Sequence, residues 1–209
     1  MPMHDPKVQR ERMLAYQAAE KQRIERMKES GKFLNAYLYD FNFLENRYEV
    51  TALSEILKQP DVVGVIRFVE LPSFEPERLF TFVYRPASIE ISTVVGATAL
   101  WDSLPQGGPP EPIPFDPSRA YRRSTILALP SPDCPPVLRD WEALKAASAN
   151  AGSCSTGTFD GIGYRNRLAD RQIQSDAEWS TPELPEHAPQ IRLIEAYVEL
   201  LRKVGLYPE

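Results

Sequence analysis

The sequence predicts an α+β fold: a mainly antiparallel sheet with flanking helices, a charged N-terminal helix, and a C-terminal amphipathic helix packed on the sheet. Three observations predict it. Residues 62–95 contain three successive runs rich in β-branched and aromatic side chains, separated by proline-bearing turns. Residues 189–204 repeat apolar side chains at helical spacing. The chain carries 20 prolines in 209 residues, about twice the usual share, which confines regular elements to short segments.

Residues 1–31 read as a helical extension and 32–209 as one α+β domain. In the extension, Asp5 suits a helix cap and Pro6 a first turn. Lys7–Glu11 and Lys21–Glu25 pair at helical spacing. Met13, Tyr16, Ile24 and Met27 make a thin stripe interrupted by Glu20, and Gly31 is a natural stop. Residues 33–48 fit two periods. Phe33, Tyr37, Phe41, Leu44 and Tyr48 share a helix face, whereas Tyr37, Tyr39, Phe41 and Phe43 share a strand face. Aromatics favour pleated surfaces, so a strand is expected.

A short helix near 53–58 ends before Pro60. Strands follow at 62–70, 79–85 and 88–95, the last two joined at Pro86-Ala87, and 98–101 continues or pairs with them. Residues 105–118 hold too many prolines for a regular element, and 124–129 is a further short strand. A helix is expected over 133–149, with Asp133 near the cap, Pro135 and Pro136 in the first turn, and Val137, Leu138, Trp141 and Leu144 inward. Residues 157–179 read as a meander with strands at 164–168 and 172–179, turning at Asp160-Gly161 and Asp170-Arg171. The last helix places Ile191, Leu193, Ile194, Tyr197, Val198, Leu200, Leu201 and Val204 on one half of the wheel and Arg192, Glu195, Glu199, Arg202 and Lys203 on the other. Gly205 supplies its left-handed stop, and Leu206 is placed to pack back.

Phe159-Asp160-Gly161, Tyr164, Trp179-Ser180-Thr181-Pro182 and the helix from Pro189 together resemble a pattern of uncharacterised bacterial α+β proteins. In these an Asp-Gly turn opens an aromatic-bearing strand, a second strand ends in Trp-Ser-x-Pro, and an amphipathic helix closes the chain. Residues 65–101, with Leu71-Pro72-Ser73-Phe74 between strands, are similar to their sheet portion. The resemblance implies the fold and no activity.

Charge narrows the function classes. The net charge is −5 and the pI about 5.3, which argues against a dedicated nucleic-acid binder and against docking on an anionic membrane. No apolar run approaches the length of a membrane span, and the first residues, MPMHDPKVQRERM, lack the apolar core of a signal peptide. A cytoplasmic location is therefore expected. Cys134 and Cys154 are too few for a disulfide framework or a four-thiolate zinc site.

Chemistry-bearing motifs are sparse. GSCSTG at 152–157 is followed by Thr158 rather than Lys and by a strand rather than a helix, so it is not a phosphate loop. Cys134, near a helix start, and His187, flanked by Glu183 and Glu186, are the candidates for a hydrolase-type site. Asp160, Asp170, Asp176 and Glu178 read as a solvated acidic edge. Arg165 and Arg167 share a strand face with Arg171 following at the turn, and Arg119, Arg122 and Arg123 form a second group; such clusters suit internal ion pairs, or bind phosphate or a carboxylate-rich partner. No cofactor and no metal are expected.

These readings favour a non-catalytic protein-binding module, in its specific form a cytoplasmic immunity or inhibitor protein for a bacterial toxin. Its expected partner-binding residues are Tyr37, Tyr39, Asp40, Phe41, Arg165, Arg167 and Arg171. The alternative is a hydrolase built around Cys134 or His187.

Overall fold

The computed structural model describes residues 41–72, 75–97, 117–155, 162–180 and 187–208. The N-terminal extension, Tyr37, Tyr39, Asp40, the expected strand at 98–101 and the Asp160-Gly161 turn lie outside them.

Among the described residues, five α-helices and seven strands follow one another in the order α1 (Phe41–Arg47), α2 (Leu53–Ile56), β1 (Gly64–Pro72), β2 (Arg78–Arg85), β3 (Ser88–Val95), β4 (Tyr121–Ala128), α3 (Pro136–Arg139), α4 (Trp141–Ala151), β5 (Cys154–Ser155), β6 (Ile162–Ala169), β7 (Gln174–Ser180) and α5 (Ala188–Lys203). The strands form one sheet in the order β4-β3-β2-β1-β6-β7-β5. Every pairing is antiparallel except the two-residue β5, which runs parallel to the end of β7. The sheet with flanking helices is the fold class the sequence implies.

One face of the sheet carries the main core. Ile66 and Phe68 from β1, Phe80, Phe82 and Tyr84 from β2, and Ile89 and Ile91 from β3 meet the buried sides of α3, α4 and α5. The α5 residues Leu193, Ile194, Tyr197, Leu200 and Leu201 are all buried there, each worth about 1.5–3 kcal/mol of transfer free energy. Phe68 stacks on Tyr197 at 4.8 Å between ring centroids. Two tyrosine hydroxyls admitted to this layer are bonded: Tyr197 donates to Asn166 Oδ1 at 3.2 Å, and Tyr84 donates to the Leu138 carbonyl at 3.1 Å. Gly205 takes a φ of 70°, the left-handed stop its position requires, and Leu206 returns to donate its N–H to the Leu201 carbonyl at 2.8 Å.

Gly64 has a different duty. A Cβ there would stand 2.1 Å from the Trp141 ring. That ring is held on its other sides by Tyr84, 5.1 Å between centroids, and by Asp170, which accepts from the indole N–H at 3.3 Å. Asp170 is the pin between the β6–β7 turn and α4. It accepts from the N–H groups of Gln172 and Ile173 and from Lys145. Burial works against its ionisation most strongly, yet these hydrogen bonds together prevail and hold the carboxyl at about 2.

Two expectations are corrected. The segment leaned toward strand is helical at Phe41–Arg47, because Phe41, Leu44 and Tyr48 stack at helical spacing onto Val69, Leu79 and Val94. The helix expected from 133 is two pieces. Asp140 is extended (φ −124°, ψ 126°) and caps α4 by accepting from the Ala143 N–H at 2.7 Å, so the cap is Asp140 and not Asp133. The strand expected at 124–129 is also longer, spanning Tyr121–Ala128.

Candidate functional site

The second face of the sheet is covered differently. The short helices α1 and α2 leave two small apolar clusters on it. Phe41, Leu44 and Tyr48 sit on Val69, Leu79 and Val94, while Leu53, Ile56 and Val62 sit on Val65, Val83 and Ala169. Between the clusters the strand registers bring one polar row across five neighbouring strands and onto β7. Asp176 is opposite Arg167, Arg167 opposite Arg67, Arg67 opposite Thr81, Thr81 opposite Ser92, and Ser92 opposite Ser124.

The row floors a cleft of about 520 Å³ lined on this face by Arg67, Arg85 and Arg122 against two glutamates, Glu49 and Glu90, with Arg123 at its edge turned to the other side of β4. Its guanidinium groups are largely matched by carboxylates, Arg67 by Glu45 and Arg85 by Asp61 and Glu90. Arg67 is its centre and is only 1% exposed. It donates from Nη2 to the Thr51 carbonyl at 2.8 Å, and its Nη1 lies 3.2 Å from Glu45. Its Nε and Nη1 make no hydrogen bond among the described residues. Burial lowers the Arg67 pKa most. Glu45 opposes that, Arg167 across the strand pair reinforces it, and the result is about 10. Two guanidinium groups directly opposite on paired strands repel, and a buried ion pair is weak support for stability. An arrangement of this cost in the middle of a sheet is the kind that clusters at binding sites.

The other arginines of the cleft are held from the rim. Arg85 bridges Asp61 and Glu90. Arg122 donates to the Tyr48 carbonyl. β4 is the outermost strand of the sheet; Tyr121 and Ile126 are exposed on it, at 44% and 71%.

The sequence-derived candidates distribute as follows. Phe41 is core, 4% exposed, with the Arg167 guanidinium 4.4 Å over its ring. Arg167 also makes two hydrogen bonds to Asp176, at 2.7 and 2.6 Å, and Arg165 pairs with Glu178 at 3.3 Å. Both are on the open face, as their spacing requires, and both are engaged in ion pairs. Arg171 donates to the carbonyls of Gln59 and Pro60, tying the β6–β7 turn to the end of the α2 region. Sequence reasoning missed Arg67. Its signal was a lone arginine within the apolar run VVGVIRFVE.

Cys134 is fully buried, and burial pushes its thiol up to about 11 despite Arg139 and Lys203 nearby. His187 is 9% exposed and precedes the first turn of α5. A thiol sealed in the core and held protonated is not placed to act as a nucleophile. Among the described residues no three His, Cys, Asp or Glu side chains are grouped to hold a metal ion, and no helix is long and apolar enough to cross a membrane.

Comparison with protein-family models, with curated proteins and with solved structures gave no match.

Proposed function

We propose that this chain is a non-catalytic protein-binding module that works through the open face of its sheet, and that its specific role is to inhibit a bacterial toxin as a cytoplasmic immunity protein. One observation carries the reading: the cleft along the Arg67 row, where buried and rim arginines lie on a face only partly covered by helices. Such a surface suits an acidic side chain or loop of a partner, since guanidinium forks bind carboxylates bidentately. The inhibitor form is supported by analogy of type: a small acidic α+β protein that blocks a partner by covering it.

The test is co-expression of the full chain with the product of the adjacent gene, reading rescue of growth and co-purification. The wild type rescues and co-purifies. Ser124→Trp, which fills the exposed mouth of the cleft, and Arg122→Glu, which reverses its charge, lose both while remaining folded by circular dichroism. Equal rescue by all three chains overturns the use of the cleft. Absence of any retained partner overturns the binding module itself.

A further inference from the structure

On the opposite face, at the corner where β4 meets the end of α5, lies a second cavity of about 960 Å³. Arg78, Arg123, Arg202, Tyr121 and Tyr207 line it, and among the described residues its lining includes no carboxylate. We infer that this cavity binds a phosphate monoester through Arg123 and Arg202. The inference is independent of the protein-binding reading.

The wall is built and not merely exposed. Gly205 turns the chain back so that Tyr207 lies against the sheet, its ring 6.0 Å from Phe80 and its hydroxyl donating to Glu70 at 3.1 Å. The guanidinium groups of Arg202 and Arg78 stand 5.1 and 5.6 Å from the centre of that ring. Arg123 lies 4.9 Å over Tyr121 on β4. Stacking on an aromatic face fixes the plane of a guanidinium and leaves its N–H edge open for an oxyanion.

Charge selects among oxyanions. Arg78 is neutralised by Glu70 at 3.1 Å and Glu75 at 2.6 Å. Glu70 itself is 1% exposed and sealed behind Arg78 and Tyr207. Arg123 and Arg202 form no ion pair among the described residues, and although Arg202 feels the Glu70 charge, the cavity keeps a positive balance with two guanidinium edges unengaged by ion pairs. A phosphate monoester offers three strong acceptor oxygens that two guanidinium edges can engage together, where a single carboxylate offers two. The tyrosine rings give an apolar wall for whatever the phosphate is attached to.

The experiment titrates the full chain with inorganic phosphate, phenyl phosphate and benzoate, followed by calorimetry and by ³¹P chemical shift. Saturable binding of both phosphates is expected, tighter for phenyl phosphate, with benzoate weaker by about tenfold or more. Arg123→Gln and Arg202→Gln each weaken phenyl phosphate by about tenfold, and the double substitution removes saturation. Arg192→Gln, on the exposed side of α5, changes nothing. Both target residues are exposed, so circular dichroism is expected to be unaltered. The inference is overturned if the wild type shows no saturable binding, if benzoate binds as tightly as phenyl phosphate, or if Arg192→Gln costs as much as the cavity substitutions, which would mark a diffuse charge effect. Failure here leaves the co-expression test of the opposite face untouched.

Discussion

The two faces of the sheet are made from the same strands and obey different rules. Under α3–α5, alternate residues of β1, β2 and β3 are large and apolar, from Ile66 and Phe68 to Phe82 and Ile91, and the Tyr84 and Tyr197 hydroxyls among them are paired. On the other face the intervening residues include Arg67, Thr81 and Ser92, which run as one polar row between two small apolar clusters. The first face holds the fold together. The second gives up stability along one row, and a protein keeps such a row where it has a use for it. Five substitutions break or sharpen that contrast.

The largest effect is expected at the centre of the helix-covered face. Phe82→Ala leaves a cavity under Tyr197, 5.3 Å away between ring centroids, and costs about 3–5 kcal/mol in urea unfolding. Gly64→Ala drives a methyl group into Trp141 and costs about 1–3 kcal/mol through overpacking; an alanine variant as stable as wild type would mean that the indole is free to move.

Asp170→Asn tests the pin beneath the same layer, with an expected loss of about 1–3 kcal/mol at neutral pH. Its pH dependence has a definite sign. The folded carboxyl is held near 2, below its ordinary 3.8, so its contribution is complete above about pH 4 and fades as the pH falls toward 2. The gap between wild type and variant therefore closes over that window, and a gap unchanged from neutral pH to pH 2 would show that the charge is not what holds the turn. At the small end, Ser124→Ala on the open face is expected to change stability by less than about 0.5 kcal/mol, since Ser124 is exposed on the outermost strand.

How far these features could be read from the residues follows from the length scale of each. The closing helix, its Gly205 stop and the return of Leu206 were legible, because they depend on neighbours within a few positions. The strands of the central sheet were legible from their alternation. Phe41–Arg47 was not, because aromatic residues at positions 33–48 satisfy both periods and only packing against Val69 and Leu79 decides between them. The Asp140 cap was hidden by Pro135 and Pro136, which also start a helix, one of a single turn. β5 has two residues and no local signal. The Arg67 row is a product of register across strands remote in sequence, so nothing short of the pairing could assemble it, although a lone arginine inside an apolar strand marked its centre. The Arg78, Arg123 and Arg202 cavity is likewise drawn from three distant elements.

The claim that the polar row is kept for binding and not for folding can be measured without knowing any partner. Urea unfolding would compare Arg67→Met with the double substitution Arg67→Met and Glu45→Met. Removing Arg67 alone takes from the buried Glu45 the guanidinium 3.2 Å away and is expected to cost about 3–5 kcal/mol, whereas replacing both by apolar side chains restores wild-type stability or exceeds it. A double variant as unstable as the single one would contradict the account, because it would make the row a structural requirement of the sheet.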